Sequence, residues 1–193
     1  LIKHHPETMY EFEENSKILF RVGWEFYMGE RGKYNNFPQD FFYAVKYLKA
    51  SALYKNNDAL CCLSTIYFLD NENKLSHETG FKLLDIAVDE EWIDAYFLYA
   101  TMYKNGGLVE KNVVMAGIYF KLAADDGESL SMFEYANLLG QAYSGEINKD
   151  ELKSSIEKAR KIISEMDNKN DHFYAEAKYA IDTFDDDYSQ YYA

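Results

Sequence analysis

The chain has little that would staple it, break it or bury it in lipid. Only two of its 193 residues are cysteine, and these are neighbours, Cys61 and Cys62. Adjacent cysteines rarely bond each other and no spaced pairs exist, which excludes a disulfide framework and makes a reducing compartment the simpler expectation. Proline occurs twice, at Pro6 and Pro38, both outside the periodic segments. Positive charge is scarce: 20 Lys plus Arg stand against 33 Asp plus Glu, a net charge of −13. Such a surface repels phosphate backbones and anionic leaflets, so neither nucleic acid nor membrane is an expected partner. A basic protein would be attracted and would be met faster. The longest uncharged runs, Ala59 to Leu69 among them, hold eleven residues, short of the roughly 18 a membrane helix needs. Residues 1–15 lack an apolar signal core and carry Glu7, Glu11, Glu13 and Glu14. The expected location is the cytoplasm, although a first residue that is not Met leaves room for a signal sequence removed upstream.

What is present is a globular composition, 48% apolar and 27% charged. At ~150 residues per domain the length suits one domain or one continuous stack. Strand signals are weak and the apolar spacing is mostly helical, so the expected class is all-α. Internal periodicity is clear. Asp40, Ser76, Asn112 and Asn148 each stand 36 residues from the next. All four are residue types that cap a helix, since a short polar side chain accepts a bond from a free N–H of the first turn. Four residues after each lies Ala44, Gly80, Ala116 or Leu152, and eleven after each lies Ser51, Ala87, Ala123 or Ala159. Small residues at fixed places let two helices approach closely. A second helix precedes each capped one, marked by Val22-Gly23, Leu63-Ser64, Tyr99-Ala100 and Tyr135-Ala136. An apolar or aromatic residue follows the small one by three: Phe26, Tyr67, Tyr103, Leu139. Each repeat therefore reads helix, loop, helix, turn, and the architecture expected is an α-solenoid of antiparallel helical hairpins with a period of about 36 residues. The expected boundaries are an acidic segment over 1–15, repeats over 16–57, 58–93, 94–129 and 130–171, and a capping helix over 172–193.

With these residues in phase, the chain resembles the Sel-one-like repeat family, relatives of the tetratricopeptide repeats. The third repeat carries the likeness best: Ala95, Tyr99-Ala100, Tyr103, Gly106, Val109, Asn112, Met115-Ala116, Tyr119, Ala123-Ala124 and Gly127. The first matches at Val22-Gly23, Phe26, Gly29, Asp40, Ala44, Tyr47 and Ala52. The second and fourth are degenerate, and the likeness spans about residues 16–184. The resemblance implies adaptor roles in assembling complexes, and such repeats also occur in small immunity proteins that neutralise a toxin. Some relatives staple each repeat with a disulfide; the cysteines for that are missing here.

Catalytic constellations are sparse. His4, His5, His77 and His172 have no Cys or carboxylate at ligand spacing, and H-E-x-x-H does not occur. Cys61 and Cys62 sit within a helix with no base nearby in the chain, so buried structural thiols are expected, one packed inside and the other nearer the concave side. The runs Asp89-Glu90-Glu91, Asp125-Asp126 and Asp185-Asp186-Asp187 fall at helix ends and follow no calcium-loop pattern. Gly106-Gly107 and Gly127 fall where helices must stop, and no phosphate-binding glycine pattern exists. No cofactor and no metal is expected, and the chain reads as non-catalytic.

A helical projection of the first helix of each repeat locates the side away from the core. The outward positions are Phe20, Trp24 and Tyr27, then Cys61, Thr65 and Phe68, then Phe97, Thr101 and Lys104, then Phe133, Asn137 and Gly140, with Phe184 added from a fifth repeat. A polar face was to be expected there, and the series is aromatic instead. One reading has neighbouring repeats cover it. The other makes it a floor that binds a protein, because aromatics bury large area at modest entropy cost and are enriched at interface hot spots. The partner-binding residues expected are Phe20, Trp24, Tyr27, Phe68, Phe97, Thr101, Phe133 and Asn137. The function expected is a scaffold that binds a basic protein through its concave face, as an immunity or inhibitor protein or as an adaptor. The alternative is an enzyme or small-molecule binder built on the same solenoid.

Overall fold

The computed structural model describes residues 6–33, 38–69, 74–165, 175, 177–179 and 182. Among the described residues, eight helices of three turns or more follow in order: α1 Pro6–Met28, α2 Phe41–Ala52, α3 Asn57–Phe68, α4 Lys74–Asp89, α5 Ile93–Asn105, α6 Val113–Asp125, α7 Ser129–Ser144 and α8 Lys149–Glu165, with a 3-10 turn at Gly29–Arg31 after α1. No strand occurs among the described residues. The stretch expected to be an acidic segment is helical from Pro6 onward, and proline is well suited to a first helical position because that N–H has no intrahelical partner. Of the capping helix over 172–193, residues 175, 177–179 and 182 are helical. Ala177 there is fully buried, and Arg160 pairs with Asp182 at 3.8 Å. Phe184 lies outside the described residues.

The chain divides into two compact units, Leu1–Glu90 and Glu91–Ala193. In the first, α1 packs along α2 and α3 along α4, while α2 also packs on α3. Leu48, Ala59, Cys62 and Leu63 form its core, flanked by Phe20, Tyr27, Val45, Ile66, Tyr67 and Leu83. Each leucine buried there contributes about 1.5–3 kcal/mol. Close approach of α1 and α2 rests on two serines: the Ser51 hydroxyl donates to the Ser16 carbonyl at 2.8 Å, and both side chains are buried. Glu25 is buried too, and its carboxylate accepts the Lys33 N–H at 3.2 Å, which ties the turn after α1 to the helix.

In the second unit α6 is the centre. All nine residues from Asn112 to Phe120 are buried, as expected of a helix surrounded by others. It packs on α5, α7 and α8. Tyr119 of α6 stacks on Tyr99 at 5.1 Å and on Tyr103 at 5.8 Å. The fourth pair departs from the first three: α7 and α8 both lean on α6, and they do not pack along each other as the earlier pairs do. Ala136, whose equivalent Ala100 is fully buried, is accordingly exposed.

The caps fall where the spacing places them in three of four cases. Asp40 accepts from the N–H groups of Phe42 and Tyr43, Asn112 from Val114 and Met115, and Asn148 from Glu151. Ser76 is not a cap, because α4 starts two residues earlier, at Lys74; Lys and Leu are good helix formers and extend it upstream. Ser51, Ala87, Ala123 and Ala159 are all fully buried, the close-packed positions the repeat implied. Gly106 and Gly127 adopt positive φ, 73° and 94°, at the ends of α5 and α6.

Candidate functional site

In the first unit the outward residues of α1 form a chain of rings. Phe20 lies 6.2 Å from Trp24, Trp24 lies 5.6 Å from Tyr27, and Tyr27 meets Phe41 edge-on at 6.0 Å. Phe41 belongs to the first turn of α2, together with Phe42 and Tyr43. Tyr43 stacks on Phe26 at 5.2 Å, and Phe42 stands edge-on to Tyr43 at 5.5 Å. The loop before α2 is pinned by Gln39, which donates to the Tyr27 carbonyl at 3.0 Å, and by the Asp40 N–H, which donates to the Phe26 carbonyl at 2.9 Å. The Asp40 cap then fixes the turn that carries the three aromatics. Trp24, Phe41, Phe42 and Tyr43 all remain exposed, Phe42 by 73%. Burial raises the pKa of the neighbouring Tyr27 hydroxyl above its usual value.

Phe41, Phe42 and Tyr43 were not among the expected binding residues. They follow a cap on the second helix of the repeat, which a projection of the first helix does not reach. Three consecutive aromatics after a capping aspartate were the available signal, since so short a run cannot all face one side of a helix.

Phe68 is not on a surface. It is buried, its ring 4.9 Å from that of Phe81. A Cβ on Gly80 would come within 2.7 Å of the Phe68 ring, so α4 leaves that space to the phenyl group. The projection treated α3 as a lone cylinder, whereas α4 covers that side. Cys61 is buried as well, as is Cys62, so neither thiol faces outward. Burial first, and the charge of Asp58 second, push the Cys62 thiol up to about 12.

In the second unit Phe97 is half-buried and meets Phe120 edge-on at 5.9 Å. Thr101 turns its hydroxyl onto the Phe97 carbonyl at 2.9 Å. Lys104 crosses from α5 to pair with Glu134 of α7. Beside Glu134, Phe133 is 66% exposed, and Asn137 one turn on is exposed too. The structure does not join Phe133 to the other rings among the described residues. Leu130 and Met132 are also exposed on α7.

Two recesses stand out among the described residues of this unit. One, of about 290 Å³, is lined by Trp92, Ile93, Asp94, Asp126, Gly127 and Glu128. The other, of about 130 Å³, lies by Tyr103, Glu110, Lys111 and Lys158, where the lysines are paired with Glu151 and Glu110. Among the described residues no three His, Cys, Asp or Glu side chains converge as metal ligands would. His77 is half-buried against Phe68, and His4, His5 and His172 lie outside the described residues.

Three helix pairs thus pack as hairpins within the two units, α1 with α2, α3 with α4 and α5 with α6, and aromatic side chains stay open on them. Two solved structures are similar to this chain. One is a Sel1 repeat protein from Oxalobacter formigenes, at 16% identity and a TM-score of 0.47, covering 67% of this chain and 98% of that one. The other is c5321, a protective antigen present in uropathogenic Escherichia coli strains and displaying an SLR fold. It is 21% identical with a TM-score of 0.47, over 82% of this chain and 40% of that one. No family model matches the sequence, and no curated protein is significantly similar to it. No helix among the described residues is long and apolar enough to cross a membrane.

Proposed function

We propose that this chain is a non-catalytic interaction scaffold that binds a basic protein partner through exposed aromatic side chains. The observation that carries the proposal is the ring cluster of the first unit. Trp24, Phe41, Phe42 and Tyr43 stay open to solvent, and the Asp40 cap and the Gln39 bond fix the turn that carries the last three. Exposed apolar patches of this kind mark interaction surfaces more often than they mark nothing. Rigid aromatics are also low in entropy cost on binding. Phe20 and Tyr27 support that cluster from below, and Phe97, Thr101, Phe133 and Asn137 are the corresponding contacts proposed for the second unit. Phe68 has no part in it. The net charge of −13 favours a basic partner by raising its encounter rate. Within this class an adaptor, or an immunity-type inhibitor of a basic toxin, suits so acidic a chain.

The test is retention of proteins from a lysate of the source cell on the immobilised chain, with Trp24→Ala, Phe42→Ala and Phe133→Ala chains in parallel. A basic protein retained by the wild type and lost from the variants, at unchanged melting temperature, supports the proposal. Retention that no variant reduces overturns it.

A further inference from the structure

The turn that opens the first helix of successive hairpins carries Asn56, Trp92 and Glu128, each 36 residues from the next. Asn56 caps α3, accepting from the Ala59 N–H at 2.9 Å. Glu128 caps α7, accepting from the N–H groups of Leu130 and Ser131. Trp92 makes no side-chain cap to α5. An indole is a poor choice for a cap, and breaks in a local rule are expected at functional sites. What the ring does instead is wall the 290 Å³ recess, together with Ile93, Asp94, Asp126, Gly127 and Glu128.

Three carboxylates meet one indole there, and no cationic side chain lines the recess. Glu128 is occupied by its cap, and bonds from Ser131 and Leu130 hold its pKa below the usual carboxylate value, so its negative charge is permanent near neutral pH. Asp94 and Asp126 have no hydrogen-bonded or ion-paired side-chain partner among the described residues, and no Lys or Arg lines the recess. Elsewhere in the same unit acids do take cations: Glu110 with Lys158, Glu134 with Lys104, Glu151 with Lys111, Asp125 with Lys121. The lysines in these pairs therefore lie away from the recess that Trp92 walls.

We propose that this recess receives the side chain of an arginine presented by the partner. The inference rests on the partner-binding proposal above and supplies the chemistry of one contact. At about 290 Å³ the recess has room for one long side chain and lies at the lower end of the ~300–1,000 Å³ range of drug-sized ligand pockets. Tryptophan is the best of the aromatic faces for a cation. A guanidinium is planar, stacks on a ring and grips a carboxylate through a fixed two-pronged fork, a geometry an ammonium lacks. Its aliphatic stem suits Ile93.

The test uses the full chain with 15N-labelled indoles and two probes, N-acetylarginine amide and its neutral isostere N-acetylcitrulline amide. Trp24→Phe and Trp92→Phe assign the two indole N–H resonances. The expected result is a saturable shift of the Trp92 resonance with the arginine probe and none with citrulline, while Trp24 stays in place. Asp94→Asn with Asp126→Asn weakens the arginine probe by about tenfold, the scale of losing charge-assisted bonds. Asp126→Asn alone, at an exposed turn, gives a smaller loss in a chain whose helices are untouched. No shift up to the solubility limit, an equal shift with citrulline, or undiminished binding to the asparagine variants each overturns the inference. None of these outcomes bears on retention by Trp24, Phe42 and Phe133, so the two proposals fail separately.

Discussion

Asn112 makes three bonds from a position 2% exposed. Its side-chain oxygen accepts from Val114 and Met115 at 3.0 Å, and its amide donates to the Ser155 carbonyl at 3.0 Å. One residue thus caps α6 and ties α8 to it. Asn112→Ala removes the cap and strands buried groups, so chemical denaturation is expected to show a loss of about 2–4 kcal/mol. Asn112→Asp keeps the cap and loses the donor to Ser155, so it does not restore stability. The cysteines give a second prediction at this scale. A Cys62 thiol pushed up to about 12 is protonated at pH 8, and both thiols are buried. A thiol-specific disulfide reagent at pH 8 is expected to find neither in the native chain and both after unfolding. Cap residues and small residues were legible in the sequence because each acts on its own helix, as at Asp40, Asn112, Ala87 and Ala123. The fate of Phe68 was not, because it depends on Phe81 and Gly80 of a neighbouring helix.

Among the elements, α7 is the least regular. Its cap is a carboxylate, Glu128, and its apolar side chains Leu130, Met132 and Phe133 stand exposed. The sign of its pH dependence follows from the lowered pKa of Glu128. A carboxylate whose pKa is depressed on folding stabilises fully above its unfolded value, here the usual 4.5, and that contribution is lost as pH falls through the lower folded value. Hydrogen exchange at Leu130 and Ser131, once corrected for intrinsic rates, is expected to show protection that falls on acidification below about 4.5. Glu128→Gln is expected to flatten that dependence, because an amide cannot protonate in this range. Helix identity and phase were legible from the 36-residue spacing, while the start of α4 and the open fourth pair were not. Ser76 is as good a capping type as Asp40, and only the helix-forming residues upstream decide that it lies inside the helix. Ala136 matches Ala100 in the sequence pattern, yet its exposure depends on where α8 settles, which is against α6. At the candidate surface, Trp24 and Phe133 could be placed outward from their own helix. Phe41, Phe42 and Trp92 could not, since their exposure arises at turns whose path a helical projection does not follow.

At the scale of the whole molecule, each compact unit holds its own core, around Leu48 and Leu63 in one and around Phe120 and Met115 in the other. Where helical hairpins repeat along a chain, stability is distributed locally, each repeat answering mainly to its neighbours. Phe120→Leu, which leaves a modest void in α6, is expected to cost about 1–2 kcal/mol. Native-state hydrogen exchange is expected to locate that loss in α5 to α8, with smaller changes in α1 to α3; an equal drop everywhere would mean a single cooperative block. The chain has two tryptophans, and they fall one in each unit, Trp24 in the first and Trp92 in the second. Both rings are a little over one third exposed, 38% and 37%. Each unit therefore carries a single tryptophan of its own. Excited beyond the tyrosine absorption band, a Trp24→Phe chain emits from the second unit alone and a Trp92→Phe chain from the first, so the melting of either unit can be followed by light in the intact protein.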